Sequence, residues 1–133
     1  MNIVMGNIFD YVGKVDALCI TTNMMIDRYG NAVMGGGVAL SARKLFPGID
    51  RTLGNILQKS YQPYINVIYR SGKTKVLSFP TNADWKNRAI IDLIDKSSYE
   101  LINMANSNKW TSVVLPKPVI GNGGLDFDRE VLP

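Results

Sequence analysis

The sequence predicts an α/β domain built on a mixed, largely parallel central sheet with helices over both faces. Three observations carry this. Apolar, β-favouring runs alternate with segments of helical period along the chain. The runs at residues 17–22 (ALCITT) and 112–115 (SVVL) are nearly continuous rather than alternating, the pattern of strands covered on both sides. Two glycine clusters, at residues 35–37 and 121–124, follow such runs.

Taken in order, residues 1–5 (MNIVM) read as an opening strand, and residues 6–10 as a turn leading into a short helical piece. Residues 17–22 form the second strand. From 38 to 46 (VALSARKLF) apolar residues recur at helical spacing, and Pro47-Gly48 stops that helix. Residues 49–57 form another, with Leu53, Ile56 and Leu57 on one side. Residues 64–69 (YINVIY) and 75–79 (KVLSF) are strands joined by a hairpin-like Ser71-Gly72-Lys73, and Pro80 ends the second of them. Residues 89–104 make the clearest helix, with Ile90, Ile91, Ile94, Leu101 and Met104 as its buried stripe. Residues 112–115 are a last buried strand. Asp126 reads as the cap of a further helix starting at Asp128.

The 133 residues suffice for one domain with a core and not for two, so residues 1–133 are taken as a single unit. A composition of 46% hydrophobic and 20% charged residues is globular rather than disordered. The net charge of +4 is compatible with an anionic partner, but the lysines and arginines are scattered and read mostly as solvated surface. Nor do aromatic residues interleave with basic ones along the chain, as in strands that stack on nucleic acid. No leader and no apolar stretch of membrane-spanning length is seen, and the one cysteine, Cys19, sits inside an apolar run as a small hydrophobe. The expectation is a cytoplasmic monomer without a membrane partner. The absence of histidine excludes Ser-His-Asp and Cys-His catalysis and removes the commonest metal ligand. Neither a metal nor a cofactor is expected.

Chemistry is sought in the glycine clusters. Met34-Gly35-Gly36-Gly37-Val38 opens directly into a helix, where unpaired N–H groups and the lack of side chains favour an anion. Val119-Ile120-Gly121-Asn122-Gly123-Gly124 follows the last strand. Ligands of open α/β sheets sit beyond the carboxyl ends of strands, so both loops can meet at one crevice. Neither has the Rossmann or P-loop spacing, and tight turns without a ligand remain the competing reading of each.

Several blocks in one order resemble a known family. They are Gly6-Asn7-Ile8-Phe9, Thr21-Thr22-Asn23, residues 32–40 (AVMGGGVAL), residues 78–86 (SFPTNADWK), Leu115-Pro116-Lys117-Pro118 and residues 121–127 (GNGGLDF). Together they span nearly the whole chain and resemble the macrodomains, in the branch holding the DNA ADP-ribosyl glycohydrolase antitoxins and the human terminal ADP-ribose glycohydrolase. The resemblance implies a three-layer α/β/α sandwich and a partner that is ADP-ribose or an ADP-ribosylated macromolecule, with nucleic acid involved only as modified substrate. It implies that Asn7 and Ile8 meet the adenine end and that Asn23 faces the distal ribose. Gly35, Gly36, Gly37 and Val38 would wrap the diphosphate from one side, and Ile120, Gly121, Asn122, Gly123 and Gly124 from the other.

The departures bear on catalysis. Hydrolytic members of the branch carry a lysine after the Pro-Thr pair, where this chain has Asn82, which has no amine to form a Schiff base. An aspartate that assists in the human-type enzyme aligns with Gly123, and the usual Gly-Cys pair is Val119-Ile120. Asn82 and Asp84 are therefore the candidates for any catalytic role, against the plainer readings of a loop amide and a cap. Asn23, too, either meets the ligand or caps a turn. Three functions stay open: an ADP-ribose binder with weak de-ADP-ribosylating activity, an active ADP-ribosyl glycohydrolase, and a nucleic-acid-binding domain touching phosphates. Relatives usually continue past the helix at Asp128 into one more strand; the sequence here is expected either to stop short of that strand or to lack it.

Overall fold

The computed structural model describes residues 7–82 and 91–116. Within them, a single 3-10 turn (Ile8–Tyr11) leads to strand β1 (Ala17–Thr22), and helices α1 (Gly37–Leu45) and α2 (Ile49–Lys59) follow. Then come β2 (Val67–Ser71), β3 (Thr74–Pro80), α3 (Ile91–Asn108) and β4 (Val113–Val114). The expected strand at residues 1–5 and the helix from Asp128 lie outside the described residues.

The sheet runs β2-β3-β1-β4, with β1 parallel to both β3 and β4, and β2 antiparallel to β3. The pleat of β1 sorts the core into two halves. Leu18 and Ile20 pack with Ala42 of α1, Phe46 just after it, and Ile49, Leu53 and Leu57 of α2. Ala17 and Cys19 face the other way, with Leu77, Phe79, Ile94 and Leu101. Helices thus cover both faces, which is why the strand lacks polar alternation and why it was readable as a buried strand.

Two elements differ from expectation. The edge strand begins at Val67 rather than 64, because residues 64–66 spend their N–H groups elsewhere. Tyr64 N–H goes to the Gln62 carbonyl, Ile65 N–H to the Glu100 carboxylate and Asn66 N–H to Ser78 Oγ. Helix α3 continues four residues past Met104, to Asn108, where Lys109 enters the left-handed region at φ 58° and Trp110 N–H bonds back to the Ala105 carbonyl. Among the described residues no helix is long and apolar enough to cross a membrane.

Between β1 and α1 the chain makes an excursion absent from the sequence reading. Residues 25–33 form a narrow hairpin with an antiparallel bridge Ile26–Ala32 and a Val33 N–H to Met25 carbonyl bond. Asp27 Oδ1 accepts from the N–H groups of Tyr29 and Asn31 at its tip. Helix α2 holds it from below, through the Asp50 carbonyl to Ala32 N–H and Gln58 Nε2 to the Gly30 carbonyl. The hairpin lies so close to α2 that a Cβ on Gly54 would collide with the Gly30 carbonyl, Asn31 Cα and Ala32 N.

Candidate functional site

A cleft of about 510 Å³ opens at the carboxyl ends of β1 and β3, a volume within the range of small-molecule sites. Thr21, Thr22 and Asn23 line it from β1, Thr81 and Asn82 from just past β3, and Val33, Gly35, Gly36 and Ala39 from the approach to α1. Parallel pairing of β1 with β3, in register to Thr22–Pro80, puts these tips side by side. This is where an open α/β sheet exposes chain ends to a ligand.

The glycine wall is built to meet an anion. Gly36 caps α1 in an extended conformation without any side-chain bond, and its carbonyl takes the N–H of Leu40. The first-turn amides of Gly37, Val38 and Ala39 have no partner among the described residues. A helix N-terminus of this kind presents donors and a positive dipole end. A Cβ at Gly35 or Gly36 would meet nothing within 4 Å. Packing therefore does not demand glycine there; a side chain would instead stand in open space beside the cleft. Gly37 has a second reason, a φ of +56° that side chains rarely adopt.

The opposite wall is neutral and hydrogen-bonded. Thr81 N–H donates to the Thr22 carbonyl at 3.0 Å, clamping the two strand tips together. The Thr81 hydroxyl lies 2.9 Å from Asn82 Oδ1, to which it donates. From behind, the buried Ser97 hydroxyl of α3 donates to the Pro80 carbonyl at 2.8 Å, fixing the backbone that carries both residues. Asn23 uses Oδ1 to accept the Met25 N–H at 2.9 Å, so it is a turn cap and a cleft residue at once. None of the described lining residues has a titratable side chain.

Asn23, Gly35, Gly36 and Asn82 thus come together in one cleft, with Gly37 and Val38 immediately behind on the first turn of α1. Asn7 and Ile8 are not among its lining residues. Asn7 caps the 3-10 turn by accepting the Phe9 N–H, and Ile8 is buried with Val15 and Leu18. Asp84 and the second glycine loop, with Ile120, Gly121, Asn122, Gly123 and Gly124, lie outside the described residues. Thr21, Thr22, Val33, Ala39 and Thr81 line the cleft too; all lie in blocks that carry the resemblance but were given no role there. The two strand-end threonines look like ordinary β-formers, and only adjacency to a strand tip marks them. Cys19 lies in the core on the α3 side, and burial pushes its thiol up, away from any nucleophilic role.

No protein-family model matches the chain. It is similar to the DNA ADP-ribosyl glycohydrolases of Mycobacterium tuberculosis (25% identical over 128 residues, 87% of this chain and 35% of the relative) and Thermus aquaticus (25% over 143 residues, 96% and 34%). The chain spans about a third of the length of these curated relatives. Among solved structures, the macrodomain of M. tuberculosis DarG superposes with a TM-score of 0.73 at 25% identity, over 95% of this chain and 81% of that one. The macrodomain of T. aquaticus DarG gives 0.74 at 25%, over 97% and 83%. The fold is also that of Thermosipho africanus DarTG, solved in complex with ADP-ribose, at a TM-score of 0.69 and 21% identity, over 93% of this chain and 34% of that one. The likeness extends over nearly the whole chain: this protein has the macrodomain fold and is similar to the macrodomains of the DarG-like branch.

Proposed function

We propose that the cleft binds ADP-ribose, free or as a group attached to a macromolecule, and that binding rather than rapid hydrolysis is its main property. The observation that carries this is the glycine-lined first turn of α1, whose amides have no partner among the described residues, beside the tips of parallel strands. On this reading the amides of residues 35–38 meet the diphosphate, and Asn23 and Asn82 meet hydroxyls of the distal ribose. The match to macrodomains, one of which was solved with ADP-ribose, supports it.

A second reading, an active ADP-ribosyl glycohydrolase, is favoured by the relatives that carry that activity in their names. The described lining supplies amides and hydroxyls but no acid, base or amine. Catalysis there would come from holding a water and the glycosidic bond in position. Asn82, fixed through Oδ1 by Thr81, suits orientation better than proton transfer.

Calorimetric titration with ADP-ribose decides the first reading; absence of saturable heat ends it. Incubation with ADP-ribosylated DNA and with an ester-linked ADP-ribosyl protein decides the second, since turnover by the native chain establishes hydrolysis. Asn82→Lys places an amine on the same wall, and a gain of glycohydrolase activity is expected. No gain in a variant that still binds ADP-ribose would count against the alignment of Asn82 with the branch's lysine.

A further inference from the structure

The buried face of α3 has an interruption that packing alone does not explain. Ile94 and Leu101 lie two turns apart, each 2% exposed, and join Leu77 and Phe79 of β3 in the core. On the turn between them stand Ser97 and Ser98, 0% and 4% exposed, where an apolar residue would continue the stripe. A hydroxyl in a core costs free energy unless it is hydrogen-bonded. The two serines meet this demand differently. Ser98 Oγ donates to the Ile94 carbonyl at 2.6 Å, the bond to residue i−4 that a serine inside a helix can make locally. Ser97 Oγ crosses to the sheet instead and donates to the Pro80 carbonyl at 2.8 Å.

Pro80 is where β3 arrives at the cleft. It is buried, pairs in register with Thr22 and has no N–H of its own to give the ladder. The next two residues are cleft lining, held by Thr81 N–H to the Thr22 carbonyl and by the Thr81 hydroxyl to Asn82 Oδ1. Ser97 is not among the lining residues, yet it fixes the carbonyl immediately before this pair. The wall made by Thr81 and Asn82 is thereby tied to α3. The glycine wall belongs to α1, which packs on the other face of the sheet. Each wall is set by a different helix.

We propose that Ser97 is a positioning residue: without touching the ligand, it holds Thr81 and Asn82 in place for the sugar beyond the diphosphate. The inference rests on the reading of the cleft as an ADP-ribose site. On that reading the amides of α1 hold the diphosphate, and the wall anchored by Ser97 holds the distal ribose. Ser97 therefore governs the preference for ADP-ribose over ADP, which has the same adenosine and diphosphate but lacks that ribose. Ser98 has no such influence, because its hydroxyl bonds within its own helix.

The test compares Ser97→Ala with Ser98→Ala, a matched loss of a buried hydroxyl from the same helix. Calorimetric titrations of the full chain with ADP-ribose and with ADP give the ratio of the two affinities. Ser97→Ala is expected to weaken ADP-ribose about 5-fold or more and to leave ADP within about twofold, the order of one hydrogen bond. Ser98→Ala should keep the parent's ratio. Native-state hydrogen exchange reads the strand tip without a ligand. The Thr81 amide should exchange faster in Ser97→Ala alone, with amides in the middle of β1 unchanged, because only the tip opens. An unchanged ratio overturns the proposal. So does an equal loss for both nucleotides, or the same change in Ser98→Ala, since a helix that merely loosens produces either. If Ser97→Ala does not fold, Ser97→Cys, with a weaker donor of similar size, is read for a smaller change in the same direction. Should the parent itself not bind ADP-ribose, the proposed function fails and the ribose preference with it. Unaltered Thr81 exchange in Ser97→Ala would then remove the positioning role as well.

Discussion

The two ends of the central sheet treat their polar groups in opposite ways. At the amino end of β1, Asp16 binds everything around it. Its Oδ2 accepts from Thr111 N–H at 2.8 Å, the Thr111 hydroxyl at 3.2 Å and Ser112 N–H at 3.3 Å, while Oδ1 pairs with Lys73 at 3.3 Å. Nearby, the buried Thr74 hydroxyl donates to the Val15 carbonyl and accepts from Gly13 N–H. At the carboxyl end, the strand tips are clamped by Thr81 and Ser97, but the first-turn amides of α1 have no partner among the described residues. One end is closed by its own side chains. The other is left for something else to complete. Uncompensated donors cost stability unless water or a ligand takes them, which is why the proposed binding site is placed at this end.

The sharpest way to break this contrast is to fill the open end. Gly36→Val places a branched side chain where a Cβ now meets nothing, so the fold should persist while the amides are screened. Losing two charge-assisted bonds at roughly 1.5 kcal/mol or more each weakens ADP-ribose by about 100-fold. Calorimetry alongside a thermal melt checks it. Unchanged affinity would mean that the diphosphate does not approach this wall.

A second variant attacks the support under the cleft's rim. Gly54→Ala drives a methyl group into the backbone of residues 30–32, and relief requires α2 and the hairpin to separate. A destabilisation of about 1–3 kcal/mol is expected from such overpacking, read from chemical denaturation. An unchanged midpoint would show that the hairpin is not seated on α2.

How much of this was legible follows from range in the sequence. The strand β1, the helices α1 and α2 and the hairpin of β2 with β3 rest on local patterns: apolar continuity, helical period, Pro47-Gly48 and Ser71-Gly72-Lys73. Gly35 and Gly36 were readable because they open directly into a helix, whereas Asn23 and Asn82 stood out through the resemblance. What stayed hidden depends on partners far along the chain. Residues 25–33 received no element because their order comes from α2. Asp16 drew no notice because Thr111 and Ser112 lie about a hundred residues on. Threonines 22 and 81 entered only as members of the resemblance blocks, since a threonine at a strand tip has the same local preferences whether or not a cleft lies above it.

The smallest effect tests the closed end. Asp16 has its carboxyl lowered to about 2, chiefly by the Thr111 N–H with further help from Lys73 and Ser112, against a cost of partial burial. The unfolded chain, with an ordinary carboxyl near 3.8, binds more protons than the folded one between those values. Stability from this residue is therefore fully present above pH 3.8 and is lost as the pH falls toward 2. Asp16→Asn should cost about 1–2 kcal/mol at neutral pH and flatten that part of the acid limb, while ADP-ribose affinity stays the same. Urea midpoints of both proteins across the window measure it. If the parent and variant lose stability in parallel there, the clamp contributes no proton-linked stability. If the variant also loses affinity, the two ends are coupled through β1, and the division between a closed and an open end fails.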